Sequence, residues 1–221
     1  MSMEYLYFCL AAPIAVAILC LEDRGKQTMD FLFAGMTGCL LSRYLTEFFA
    51  DIYAANTMVT AVEIAPAVEE SLKFLPFVIY LLVFKPKKEW ILGDMFALAL
   101  GFATFDNVWN LVENGAAGIL PILLRGLGSG AMHVVCASLI SIGLLSMWDS
   151  RYLRVLGTVG LFLTSVTYHA IYNLLVMSRY PWIGHLIPLV TMISVLLIRS
   201  ARTGEKTEAS GPSETRTKEH A

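Results

Sequence analysis

The chain is a series of long apolar runs joined by short polar connections. The runs lie near residues 3–21, 30–50, 58–84, 91–113, 121–147, 153–177 and 182–199. Each approaches the roughly 20 residues that a helix needs to cross hydrocarbon. The expected fold is therefore all-α: a polytopic membrane helix bundle of about seven transmembrane helices, packed antiparallel across short connections, with a polar site inside it. Composition agrees. Of 221 residues, 57% are hydrophobic and 15% charged, with a mean hydropathy of +0.64, more apolar surface than a soluble core of this size requires. The opening stretch, MSMEYLYFCLAAPIAVAILCL, lacks a basic leader and a small-residue cleavage site, so it reads as a first span and not as a cleaved signal peptide. Residues 1–199 form the expected transmembrane domain. The polar, aromatic-free stretch 200–221 is expected to be a disordered tail.

Charge sets the orientation. One set of connections carries EDRGK, KPKK, DSRYLR and the basic tail; the other carries DIYAANT, ENGAAG and SRYP, with Arg179 alone. The positive-inside rule places the first set in the cytoplasm, hence the N-terminus outside and the C-terminus inside. A net charge of −2 and the lack of a basic stripe exclude a nucleic-acid partner. Cys9, Cys20, Cys39 and Cys136 all fall in apolar runs without metal-ligand spacing and read as small buried hydrophobes.

Several spans carry residues that lipid does not tolerate cheaply. The third holds Glu63, Glu69, Glu70 and Lys73; the fourth Asp94, Asp106 and Asn107; the fifth Arg125 and His133; the sixth His169 and Asn173. A charge at the bilayer centre costs roughly 2.5–3.5 kcal/mol, so such residues face a bundle interior or a watery cavity. At about 1.5 Å per residue, Glu69 and His133 sit roughly 15–18 Å below the outer surface, and Asp106 and His169 roughly 10–12 Å. Carboxylates and imidazoles from four consecutive spans thus share a depth in the outer half, as the parts of one site would. Lys73 stands at i+4 from Glu69 and i+3 from Glu70, so it can hold one carboxylate ionised and leave the other free.

This set of groups suits proton transport, ion binding or hydrolysis. Peptide hydrolysis needs a base for water, a donor for the leaving amine and a group for the oxyanion. Burial disfavours a carboxylate's charge and a neighbouring ammonium favours it, so EExxK offers a tuned base and a partner. Two histidines and a carboxylate also make a plausible zinc set, although no HExxH is present.

VEESLKF, LGFATFDN, RGLGSGAMHVV and YHAIYN follow one another in the order and spacing of the PrsW family. The chain resembles that family from about Glu69 to Asn173. Its members are bacterial intramembrane proteases that make the first cut in anti-sigma factors, and they are related to the type II CAAX prenyl-proteases. The resemblance implies a bacterial plasma-membrane protease acting on a membrane-anchored protein. It implies catalytic roles for Glu69, Glu70, Lys73, Asp106, Asn107, His133 and His169, with a glutamate of the pair, by analogy Glu69, activating water. Phe102, Asp106 and Asn107 match the family's FxxxEN; Phe102, Arg125 and Asn173 are expected at the substrate. Two mechanisms stay open. One is glutamate-dependent and needs no cofactor; the other uses a divalent metal such as zinc, for which the ligands would be Glu69, His133 and His169. Asp106 departs from the family's usual glutamate and is shorter by a methylene, on the order of 1 Å, a displacement that can cost roughly 100-fold in rate. LEDRGKQ also lacks an acidic-proline signature seen in some relatives. The rival readings are a transporter, for which no repeated halves are visible, and a protease-like protein that binds membrane partners without cutting.

Smaller expectations complete the reading. Glu63 is expected to face the bundle, His185 to be interfacial, Glu4 and Glu47 likewise, and Gly126, Gly128 and Gly130 to allow close helix packing.

Overall fold

The computed structural model describes residues 3–115, 118–147 and 151–209. Among them the chain is helical, with no strand: α1 (Met3–Cys20), α2 (Asp23–Ile52), the short α3 (Thr57–Val59), a π-helical turn (Thr60–Ile64), α4 (Ala65–Phe84), α5 (Lys88–Asn114), α6 (Ile119–Met147), α7 (Arg151–Val176) and α8 (Pro181–Ala209). The helices follow the predicted apolar runs. At the ends they differ: α2 starts at Asp23, before the predicted 30, and α8 runs past 199 to Ala209. Neither end carries a proline or glycine stop at the predicted boundary, and hydropathy marks where lipid begins, not where helical hydrogen bonding ends. The expected tail beyond Ala209 lies outside the described residues.

By length and apolarity alone, α1, α5, α6 and the Leu156–Val176 part of α7 can each cross a membrane; the apolar part of α8, Pro181–Leu197, is shorter. α4 is long enough, but every span-length window of it contains Glu69, Glu70 and Lys73. The residues expected at the site are those that lower its apolarity.

The helices are not equivalent. Of the most apolar stretches of α5 and α6, 61% and 67% of residues are buried, against 11% in α1 and 17% in α7, so α5 and α6 are the inner helices. α2 packs along α5, and the contact is close because both sides lack a side chain. A Cβ on Gly35 would stand 2.0 Å from the Leu98 carbonyl oxygen, and one on Gly101 would stand 2.0 Å from that of Leu32. Membrane helices associate through such packing, since lipid tails are as apolar as leucine. The close approach fixes α2 against the face of α5 that carries Phe102 and Asp106. Below the polar layer, Phe77, Leu81, Met95, Ala137 and Ile140 fill the space between α4, α5 and α6. On the other side Tyr7, Met36, Cys39, Phe102 and Phe105 join α1, α2 and α5.

Against the N-terminal end of α2, Asp94 is buried and fully engaged. Arg24 Nη1 donates to its Oδ1 (2.8 Å), and Gln27 Nε2 and the Tyr80 hydroxyl donate to its Oδ2 (both 2.9 Å). This intramembrane carboxylate is a staple between α2, α4 and α5. The cysteine expectation holds for Cys39 and Cys136 only; Cys9 and Cys20 are exposed, because α1 covers the bundle with one face and leaves the other open.

Candidate active site

The entry into α4 shows how the sequence builds one wall of the site. Asn56 caps α3 by accepting from the Val59 amide at 3.0 Å. The next turn is π-helical, and the Ala65 amide reaches five residues back to the Thr60 carbonyl. The following bond of that kind would run from residue 66 to the Ala61 carbonyl. Residue 66 is proline and has no N–H. Asn173 of α7 supplies the missing donor: its Nδ2 donates to the Ala61 carbonyl at 2.8 Å. Asn173 was expected at the substrate; here its amide secures the wall of the cavity that it also lines.

One turn later α4 presents its charged residues inward. Glu69, Glu70, Lys73, His133 and His169 are all buried. Lys73 Nζ donates to Glu70 Oε1 at 2.5 Å and to His133 Nδ1 at 2.8 Å. His169 Nδ1 donates to the same Glu70 oxygen at 2.8 Å, which directs its Nε2 toward Glu69 Oε2, 3.8 Å away. Of the two possible pairings, the lysine takes Glu70 at i,i+3 and leaves Glu69 on the cavity. Phe102 packs over this network, with its ring centroid 4.8 Å from Lys73 Nζ and 5.2 Å from the His133 ring. Phe102, expected at the substrate, is wholly buried against the network and is not among the residues that line the polar cavity.

Ligand atoms of Glu69, His133 and His169 lie within 4.8 Å of one another. His133 Nε2 is buried with no hydrogen-bond partner among the described residues. Glu70 holds His169 by its far nitrogen, the arrangement by which a carboxylate orients a metal-binding imidazole. The three side chains therefore fit a divalent metal. Occupation of His133 Nε2 requires the Lys73–His133 pair to release a proton, as metal binding at ionisable ligands commonly does.

Asp106 belongs to a second layer. Arg43 Nη2 donates to its Oδ1, Arg125 Nη2 to Oδ2 at 3.3 Å and Ser129 Oγ to Oδ2 at 3.2 Å. Three donors reach the shorter side chain from α2 and α6, so the missing methylene leaves it fully engaged. Asn107 is more loosely held: its Nδ2 lies 3.5 Å from the Gly126 carbonyl, and its buried Oδ1 has no partner among the described residues.

The two layers border one cavity of about 670 Å³, whose rim is formed by Glu47, Ala55, Thr57, Glu113 and Asn114 at the same ends of the helices. Glu69, Asp106, Arg125, His169 and Asn173 line it. Three participants were not singled out from the sequence: Arg43, Ser129 and Tyr172. Arg43 was legible, being a lone arginine inside the second apolar run. Ser129 and Tyr172 have ordinary membrane-helix types and become visible only through Asp106 and the cavity. His185 was expected at the interface but is buried, 3.1 Å from the Tyr172 hydroxyl, because Gly128 lets α8 approach until a Cβ there would stand 2.7 Å from that of His185. Gly126 and Gly130 meet nothing within 4 Å, so close packing explains Gly128 alone of the three. Glu63 was expected to face the bundle; it is exposed on the opposite side of the wall from the cavity, because the π-helical turn rotates the face of the helix that precedes it.

Comparison with curated proteins and with solved structures finds no match. A family model described as PrsW family intramembrane metalloprotease matches residues 7–198, nearly the whole described bundle and not only the motif-bearing half. An all-helical bundle with buried ionisable residues and a Glu–His–His cluster is in keeping with that description, and the chain belongs to the PrsW family of intramembrane proteases.

Proposed function

We propose that the protein hydrolyses a peptide bond in a membrane-anchored protein near the extracytoplasmic face of the bacterial plasma membrane, with an anti-sigma factor as the substrate class and this as its first cut. The observation that carries the reading is the asymmetry of the glutamate pair. Glu70 is consumed by Lys73 and His169, while Glu69 faces a polar cavity together with His169.

In this reading Glu69 orients water and takes its proton. Glu70 fixes the tautomer and direction of His169 and balances the charge of Lys73. Arg43 and Arg125 keep Asp106 anchored and the cavity net polar. Glu69, His133 and His169 are also the residues that would hold a metal, in which case Glu69 serves as ligand. A divalent ion of the zinc type, when bound, supplies Lewis-acid polarisation of a carbonyl and activation of water near neutral pH. The positive-inside count puts the cavity mouth outside, with the N-terminus outside and the C-terminus cytoplasmic.

The test is co-expression with candidate anti-sigma factors and single replacement of Glu69, Glu70, His133 and His169. Loss of the cleaved product in the Glu69 and His169 variants is expected. Cleavage retained in all four overturns the reading.

A further inference from the structure

The wall at Thr57–Ile64 has two sides. Thr57, Thr60 and Ala61 face the polar cavity, whereas Val59, Glu63 and Ile64 face a separate groove of about 870 Å³ between α2 and α4. The groove is apolar: Phe49 and Leu45 of α2 form one side and Phe162 of α7 closes it. Val59, Glu63, Ala67 and Ser71 recur every four residues along it. Ala67 and Ser71 are small, and the Ser71 hydroxyl is satisfied by the Ala67 carbonyl at 2.7 Å, so another helix can approach closely here without stranding a polar group. Glu63 is the one charged residue among the described lining. It has no ion-pair or hydrogen-bond partner there, and it lies about 9 Å nearer the outer face than Glu69 by helical rise.

We propose that this groove seats the transmembrane helix of the substrate, and that the helix bears a lysine or arginine near its extracytoplasmic end to pair with Glu63. The groove and the catalytic cavity share one wall, so a chain leaving the outer end of the groove has only to cross Thr57–Ile64 to enter the cavity beside Glu69. An annular lipid chain fills an apolar groove equally well, but a lipid ammonium stays at the headgroup level and is not held at one point of the lining, so a lone carboxylate set below that level favours a basic helix. The assignment rests on the proteolytic reading above and names the substrate's membrane segment.

The experiment uses full-length protein carrying Glu69→Gln, so that docking is read without cutting, with Cys9 and Cys20 replaced by serine and Ser71→Cys introduced. It is reconstituted in phosphatidylglycerol–phosphatidylethanolamine vesicles with a synthetic single-span Leu/Ala peptide that has a lysine at its outer end and a cysteine scanned along its length. Oxidative crosslinking is expected on one face of the peptide helix. Replacing the peptide lysine by glutamine, or Glu63 by glutamine, is expected to weaken docking roughly tenfold, and Glu63→Lys with a glutamate-bearing peptide to restore it. Crosslinking that ignores both partners, that occurs equally at Leu163→Cys on an exposed face of α7, or that is absent for every peptide overturns the proposal. Since the protein is inactive in this experiment, failure of docking leaves the cleavage reading standing, whereas failure of the co-expression test with docking retained removes the docked helix's role as substrate.

Discussion

Replacement of Asn173 by alanine isolates a bond that the sequence forces on the fold. Pro66 has no N–H, so the π-helical turn cannot satisfy the Ala61 carbonyl from its own helix, and Asn173 Nδ2 does so from α7 at 2.8 Å. Asn173→Ala leaves that carbonyl without its protein partner at a partly buried position on the cavity wall, so the cost falls toward the low end of the range for a stranded polar group. Stranding a buried polar group costs about 1–3 kcal/mol. For a chain of this size each kcal/mol lowers the melting temperature by roughly 2–4 °C, so a fall of a few degrees in detergent is expected. Pro66→Ala supplies the missing donor within the same helix. In the Pro66→Ala background the Asn173→Ala cost should be smaller, because Ala61 then has a second route to satisfaction. The four melting curves form a double-mutant cycle, and the intrinsic effect of proline on the unfolded chain cancels in the coupling term. Equal costs of Asn173→Ala in both backgrounds would refute the assignment of Asn173 as partner to the carbonyl that Pro66 frees.

Three further outcomes follow from the geometry. Lys73→Met leaves Glu70 buried with His169 alone and should destabilise the protein by about 3–5 kcal/mol, whereas Lys73→Met with Glu70→Gln should recover much of it; urea or thermal unfolding in detergent reads both. Gly101→Leu should dismantle the α2–α5 contact, since even a Cβ would stand 2.0 Å from the Leu32 carbonyl oxygen, and the variant should fail to accumulate in the membrane or unfold well below the native protein, as followed by immunoblotting and thermal melts. If a metal is held, purified protein should carry about one divalent ion per chain, and His133→Ala and His169→Ala should each lower its retention by at least about tenfold in metal analysis, with unchanged content in both variants counting against the three-residue ligand set.

Sequence alone determined the class of fold. Long runs without charge have one stable form in lipid, the helix, and their number and spacing set the bundle. It also marked where polar chemistry had to lie, because Glu69, Glu70, Lys73, His133 and His169 are too costly in hydrocarbon to be placed there without partners. What hydropathy could not supply was direction. Whether Lys73 takes Glu69 or Glu70 depends on where α6 and α7 bring their histidines, and both pairings are permitted by spacing along one helix. Glu63 and Glu69 look alike in the sequence, yet a single π-helical turn puts one on an apolar groove and the other on the polar cavity. His185 reads as an interfacial residue until Gly128 lets α8 close over it. Cost of burial is a property of the residue and is readable from the chain; choice of partner is a property of helix rotation and approach, settled only when seven long helices pack together.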